Sequence, residues 1–261
     1  MSNKTVLELS GITMQIAGLT ALSKVSFAVE AGKIVSLIGP NGAGKTTTFN
    51  VISGYMRPTA GSVMLFGENI VGRSPDEIAA RGLVRTFQRT SVFDQCTVFD
   101  NLLTAFHLQG RYGLFRSLLR TPGFLREEAA LRGRAGEMLA FLGLSHRADE
   151  LAVNLSYGEQ RLLGVGIGLA AQPKLLLLDE PAAGLNPSET ETFKHTIRRI
   201  SELGITVLLV EHDMHMVMSI SDHIVVLNHG QLIATGQPRD IQQDPEVIRA
   251  YLGSGVKRAQ A

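Results

Sequence analysis

The chain carries a single cysteine, Cys96, in 261 residues. An internal disulfide is therefore excluded, and such sparing use fits a reducing compartment. Nothing approaches the ~18 apolar residues that a membrane-crossing helix needs. Apolar runs such as Leu175–Leu178 and Val207–Val210 are strand-sized. The start of the chain lacks a basic stretch followed by a long apolar segment, the pattern of a secretory signal. Charge is balanced, with 25 Lys+Arg against 24 Asp+Glu, so there is no global electrostatic case for nucleic acid. No internal repeat and no low-complexity tract is visible. A soluble cytosolic protein is the expectation. Hydrophobic content of 44% is ample for a core, and the length suits one large domain or one domain with a subdomain.

One stretch organises the rest. Gly39-Pro40-Asn41-Gly42-Ala43-Gly44-Lys45-Thr46 fits G-x-x-x-x-G-K-[ST], and Thr47 follows directly. Upstream, Ile34-Val-Ser-Leu-Ile38 is an apolar, β-branched run of buried-strand type. Downstream, Thr46 to Met56 can run as a helix with Gly54 as its stop. Strand, glycine loop and helix together form the context of a phosphate-binding loop. The glycines let backbone N–H groups wrap an anion without Cβ clashes, and the helix N-terminus favours negative charge. Lys45 would reach the β- and γ-phosphates, and the Thr46 hydroxyl would coordinate Mg²⁺.

Around this loop the pattern alternates. Val6–Leu9, Val25–Val29 and Ser62–Phe66 read as half-buried strands of an antiparallel flank. Ser74-Pro75-Asp76-Glu77 is a helix start, and Leu83–Phe87 a strand leading into Gln88. From Thr97 the character turns helical, with Val98, Leu102 and Phe106 on one face; a second helix, about 126–142, should bury Leu131, Ala135, Met138, Leu139 and Leu142. Residues 107–124, with Arg111, Arg116, Arg120 and several Gly and Pro, read as a basic, irregular insertion. Gly164, Gly166 and Gly168 alternate with apolar residues, which by period favours a strand; with Pro173 and a strand following, a helix is the better reading. Leu175–Leu178 is a fully buried strand ending in Asp179-Glu180, and Thr206–Val210 another, ending in Glu211-His212. Asn186-Pro187 starts a helix that turns Phe193, Ile197 and Ile200 inward, Asn228-His229-Gly230 signals a hairpin, and Asp244-Pro245 opens a last helix. The predicted fold is α/β: a doubly wound parallel core with an antiparallel β flank and an inserted helical subdomain at about 89–170.

The remaining chemistry lies in order along the chain. Asp179 closes a buried strand, where it can hold a Mg²⁺ shell, and adjacent Glu180 can orient water at a γ-phosphate. His212 follows the next strand, at the edge where sheet ligands converge. Ser156-Tyr-Gly158 at a helix start could bind another phosphate or serve as an ordinary cap.

Taken together, these residues resemble the ATP-binding cassette family over about 5–253, nearly the whole chain and leaving 254–261 as a short tail. The resemblance identifies Gly39–Thr46 as Walker A, Gln88 in Thr86-Phe-Gln as the Q-loop and Leu155-Ser-Tyr-Gly-Glu-Gln160 as the signature. It identifies Leu175–Asp179 as Walker B, Ala183-Gly-Leu-Asn186 as the D-loop and His212 as the H-loop. It implies the P-loop NTPase, RecA-like fold, with ATP and Mg²⁺ as cofactors. Two cassettes would pair head to tail, with Ser156, Gly158, Glu159 and Gln160 of one closing over ATP held by Lys45 of the other. Glu180 is then the base, His212 holds the γ-phosphate, and Gln88 links the metal to the membrane subunits; Thr46, Gln88 and Asp179 serve the metal. Ile16 stands where the family usually places an aromatic on adenine, and Tyr157 where Gly is commoner in the signature.

Thr86-Phe-Gln-Arg, Asp179–Pro187, Glu211-His-Asp-Met214 and Val247–Gly253 look like branched-chain amino acid importers, and the insertion like the larger of that system's two ATPases. The implied partners are a second ATP-binding subunit, two transmembrane permease subunits and, indirectly, a solute-binding protein, with the chain peripheral on the cytoplasmic face of the inner membrane. Importers of urea or short amides fit the same motifs. A soluble cassette acting on nucleic acid or in translation would need a coiled-coil insertion or two cassettes, and a kinase or GTPase lacks the signature.

Overall fold

The computed structural model describes residues 5–86, 92–107 and 122–256. Phe87, Gln88 and most of the basic insertion, including Arg111, Arg116 and Arg120, lie outside the described residues. The chain divides into two compact units. One takes the described residues within 1–88, 174–183 and 190–261; the other takes those within 89–173 and 184–189.

The first unit is built on two sheets. β1 (Thr5–Ile16) and β2 (Leu19–Glu30) form a long antiparallel hairpin, extended by β4 (Ala60–Leu65) and β5 (Glu68–Asn69) in the order β2-β1-β4-β5. Along β2 the alternation of Leu22, Val25, Phe27 and Val29 with exposed neighbours is that of a sheet wetted on one face. The second sheet contains β3 (Ile34–Ile38), β6 (Leu83–Thr86), β7 (Leu175–Asp179), β8 (Thr206–Val210), β9 (His223–Asn228) and β10 (Gln231–Gly236), ordered β10-β9-β3-β8-β7-β6. All its pairings are parallel except β9 with β10. Every residue of β3 and β8 is buried, as a parallel strand covered on both faces demands. On one face Leu7, Leu9 and Val25 of the first sheet share a core with Leu37, Leu177 and Leu208 through Phe49 of α1 (Lys45–Ile52). On the other, Ile38 and Val226 pack with Val217 of α7 (Met214–Ile220), Ile241 of α8 (Pro238–Gln243) and Val247 of α9 (Pro245–Val256). α2 (Pro75–Ala79) opens with the capping box expected at Ser74 and Glu77. α1 stops at Ile52, one turn short of the expected Met56, and α7 and α8 are additions to the sequence reading. At seven and six residues they are shorter than two turns, too short to show a helical period.

The second unit packs α3 (Val98–His107), α4 (Pro122–Leu142) and α5 (Tyr157–Ala170). The three-glycine stretch is helical throughout, and packing explains it. A Cβ on Gly166 would come within 2.5 Å of Leu142 Cδ1 and 3.1 Å of Leu102 Cδ2, so the missing side chain is what lets three helices approach. Leu131, Ala135, Leu139 and Leu142 are buried as expected, whereas Met138 is only half-buried. α6 (Pro187–Glu202) begins in the second unit and continues in the first, burying Phe193, Ile197 and Ile200 there.

The β9–β10 hairpin turns through His229 and Gly230, both at positive φ (45° and 75°), the geometry of a tight two-residue turn. Gly230 N donates to Ala43 O at 3.0 Å, and Ser23 N donates to Gly230 O at 2.8 Å, so the turn is pinned between the glycine loop and β2. A Cβ on Gly230 would meet Ala21 O at 2.5 Å. Gly230→Ala should therefore cost roughly 2 kcal/mol or more and lower the melting temperature by about 4–8 °C. Unchanged thermal unfolding would show that the turn accommodates a side chain.

Candidate functional site

The carboxyl ends of β3, β7 and β8 open on one cleft of about 330 Å³, lined by Ala21, by the loop and helix start from Asn41 to Thr47, and by Glu180 and His212. The sheet order places it where such crevices form, because β8 and β9, both later in the chain, flank β3 on its two sides. Gly44, at φ 100°, turns the loop into α1. Lys45 reaches back across the loop, and its Nζ donates to Gly39 O at 2.7 Å and Pro40 O at 3.0 Å. Its burial pulls the ammonium pKa below the usual lysine value, and the Glu180 carboxylate opposes that shift. A cation resting on two carbonyls of its own loop has neutral partners that an incoming phosphate can replace.

Across the cleft, His212 Nε2 meets Glu180 Oε1 at 2.6 Å, a hydrogen bond in which the ring N–H donates to the carboxylate. Glu180 has φ 48°, a left-handed backbone that a side chain of its type seldom adopts. Its amide donates to Val210 O at 2.9 Å, which ties the end of β7 to the end of β8. Asp179 at the same edge is mostly buried and paired with Arg85, Nη2 to Oδ2 at 2.6 Å. The same guanidinium donates to Asn50 Oδ1 at 2.8 Å and Ser53 Oγ at 3.0 Å, and lies 5.6 Å above the Phe49 ring. Arg85 was not singled out from sequence. The available signal was a charged residue inside a strand otherwise suited to a buried sheet, which needs an opposite charge nearby.

Ser156, Gly158, Glu159 and Gln160 belong to the other unit. Ser156 caps α5, its Oγ accepting from Glu159 N at 3.3 Å while Glu159 Oε2 accepts from Ser156 N at 2.8 Å. Burial pushes the Glu159 carboxyl up, but the Ser156 amide and the Arg147 guanidinium outweigh it and hold the pKa below the usual value. Gly158 N donates to Glu189 Oε1 at 3.3 Å, and Gln160 Nε2 donates to Leu155 O at 3.2 Å. Tyr157 is engaged by Arg161, which both stacks on its ring at 4.9 Å and hydrogen-bonds its hydroxyl. The ring also lies against Gly184, where a Cβ would sit 3.1 Å from it. Ile16 is exposed at the end of β1, opposite Leu19, and is not among the residues lining the cleft. Gln88 lies outside the described residues.

The acceptor and donor set is suited to a magnesium nucleotide. A buried cation and a glycine loop at a helix start match phosphate, and the Thr46 hydroxyl and Asp179 carboxylate are hard oxygen ligands of the kind Mg²⁺ takes. Among the described residues no group of three or more His, Cys, Asp or Glu could hold a metal alone.

A parallel sheet whose central strand runs into such a loop, with acids at the ends of the neighbouring strands, defines a P-loop nucleotide-binding ATPase. The comparisons narrow this. Residues 22–183 match the family model of the ABC transporter, and residues 231–257 that of the branched-chain amino acid ATP-binding cassette transporter. The chain belongs to the ABC transporter ATP-binding family and is an ATPase of that type. It is 46% identical to the high-affinity branched-chain amino acid transport ATP-binding protein BraF of Pseudomonas aeruginosa, across 96% of this chain and 99% of that one. The corresponding LivG of Escherichia coli K12 is 45% identical over the same shares. Among solved structures, the ADP conformation of the ATP-binding cassette MJ1267 superposes with a TM-score of 0.83 at 33% identity, covering 95% of this chain and 99% of that one.

Two outcomes check the site. Lys45→Ala removes the only cation lining the cleft among the described residues and should weaken ATP binding by about 10- to 100-fold in a titration; parental affinity would remove Lys45 from the phosphate site. Arg85→Met strands the Asp179 charge and should cost about 3–5 kcal/mol in urea unfolding, with Asp179→Asn recovering part of the loss. An unchanged midpoint would show that the pair contributes nothing to stability.

Proposed function

We propose that this chain is the ATP-hydrolysing subunit of a membrane importer of branched-chain amino acids. The observation that carries the proposal is the match of residues 231–257 to the branched-chain transporter model, because that segment is built into the nucleotide unit. It comprises β10, α8 and α9, and it brings Tyr251 onto the core beneath Ile38. Burial pushes the Tyr251 hydroxyl up to about 12, and the Gly39 backbone is its polar neighbour.

In this reading the amides of Gly42, Ala43 and Gly44 and the Lys45 ammonium hold the β- and γ-phosphates. Thr46 and Asp179 hold Mg²⁺, which when bound neutralises charge on the phosphate oxygens. Glu180 accepts the proton of the attacking water, with its Oε1 held by His212 Nε2–H. Ser156, Gly158, Glu159 and Gln160 serve the nucleotide of a second ATP-binding subunit. The described residues contain no helix long and apolar enough to cross a membrane; in this reading the solute path belongs to two permease subunits. A surface suited to them lies on the second unit. Phe93, Leu151 and Val153 are exposed, on segments joined by Ala152 N donating to Cys96 O at 3.0 Å and Val153 N donating to Asp94 O at 3.2 Å. Buried Asn101 braces them, taking Phe93 N at 2.7 Å and giving to Thr97 O at 2.9 Å. Such a framed apolar face fits a partner carrying apolar side chains, on the cytoplasmic side of the membrane.

Reconstitution tests this. The chain is combined with its paired ATPase and two permease subunits in liposomes, and ATP hydrolysis is measured with solute-binding protein loaded with leucine, isoleucine or valine. Severalfold stimulation by these solutes is the expected result. Stimulation by urea or short amides alone would replace the substrate class, and no stimulation by any loaded binding protein would refute the importer reading.

A further inference from the structure

Glu211 is a carboxylate almost wholly withdrawn from water, 3% exposed, at the end of β8. It faces no Lys or Arg in an ion pair among the described residues. Its two oxygens go instead to two different loops. Oε1 accepts from Ala182 N at 2.7 Å, and Oε2 accepts from His212 N at 3.0 Å. The Asp213 backbone also favours the charged form. Desolvation pushes the Glu211 carboxyl above the usual range, against the pull of these amides. A buried ionisable group with a net desolvation cost is a poor device for stability alone.

What it joins explains its presence. Ala182 lies two residues after Glu180, and His212 is the next residue along from Glu211. The Glu180 backbone is left-handed, a conformation that costs about 1–3 kcal/mol and persists only when its surroundings over-determine it. Three contacts hold it: the Asp179–Val210 pairing, Glu180 N donating to Val210 O, and Ala182 N on the Glu211 carboxylate. The same carboxylate fixes the His212 backbone. One side chain thus sets the positions of both partners in the 2.6 Å Glu180–His212 contact.

We infer that Glu211 is a positioning residue for hydrolysis, acting through Glu180 and His212 without touching nucleotide. The inference rests on the role proposed for Glu180. A glutamine at this position keeps the volume but offers one acceptor oxygen where two are used, and its NH₂ opposes an N–H donor. One of the two loops is therefore released.

The test is a double-mutant cycle on the full chain, read as kcat, KM for ATP, affinity for a non-hydrolysable ATP analogue, and melting temperature. Glu211→Gln should lower kcat about 10- to 100-fold, the usual loss for a residue that orients a reacting group. KM and analogue affinity should stay within about twofold, and the melting temperature should fall by no more than a few degrees, because losing the desolvation cost of the charge offsets part of the lost hydrogen bond. Added to Glu180→Gln, it should lower kcat no further, since residues that act as one unit are non-additive. Parental kcat in Glu211→Gln, a multiplicative loss in the double variant, or parallel loss of affinity and thermal stability would each overturn the inference. Glu211→Asp, which keeps the charge but shortens the reach, carries the same readouts should Glu211→Gln not fold. If Glu180→Gln alone hydrolyses ATP at the parental rate, it is the role of Glu180 that fails, and the two failures are distinct.

Discussion

The nucleotide cleft depends on β3, β7 and β8 ending at one level. Leu37 of β3 and Asp179 of β7 both stand opposite Val210, so the residues just beyond them emerge together. Within the sheet these strands are apolar apart from Ser36, Thr206 at the start of β8 and Asp179 at the end of β7. The polar groups lining this edge stand at the strand ends: the glycine loop, Asp179-Glu180 and Glu211-His212. A slip of one residue in either pairing would exchange the faces of every side chain along the strand and part these groups.

That level edge also decides how charge is handled. Asp179 is neutralised by a guanidinium reaching from β6, an arrangement that fixes the carboxylate at the strand end. Glu211 is satisfied by backbone amides and no cation in the described residues. The two carboxylates are one strand apart yet their partners differ, because Arg85 stands on β6 beside β7, while β3 and β7, the neighbours of β8, carry no Lys or Arg.

Much of this was legible before the structure. The glycine loop, the leucine strand and the Ser74 capping box are local patterns, set by sterics and hydrogen bonds within a few residues, and they lie where their spacing puts them. The Gly164–Gly168 stretch shows the limit. Its period is that of a strand, and only the neighbours Leu102 and Leu142, distant in sequence, show why Gly166 belongs in a helix. Arg85 and Glu211 were visible as letters but not as partners, because their roles arise from strand order, which no local window contains. The membership of 184–189 in the helical unit is hidden for the same reason, resting on Tyr157 against Gly184 and Gly158 N on Glu189.

The hairpin turn at Gly230 and the tyrosine at 251 both lie against the backbone of the glycine loop. The loop is thus moulded in advance, and part of the entropy of ordering it is spent when the protein folds, before nucleotide is met. A change at Gly230 or Tyr251 therefore reaches the glycine loop through its backbone, without altering any residue of the loop itself.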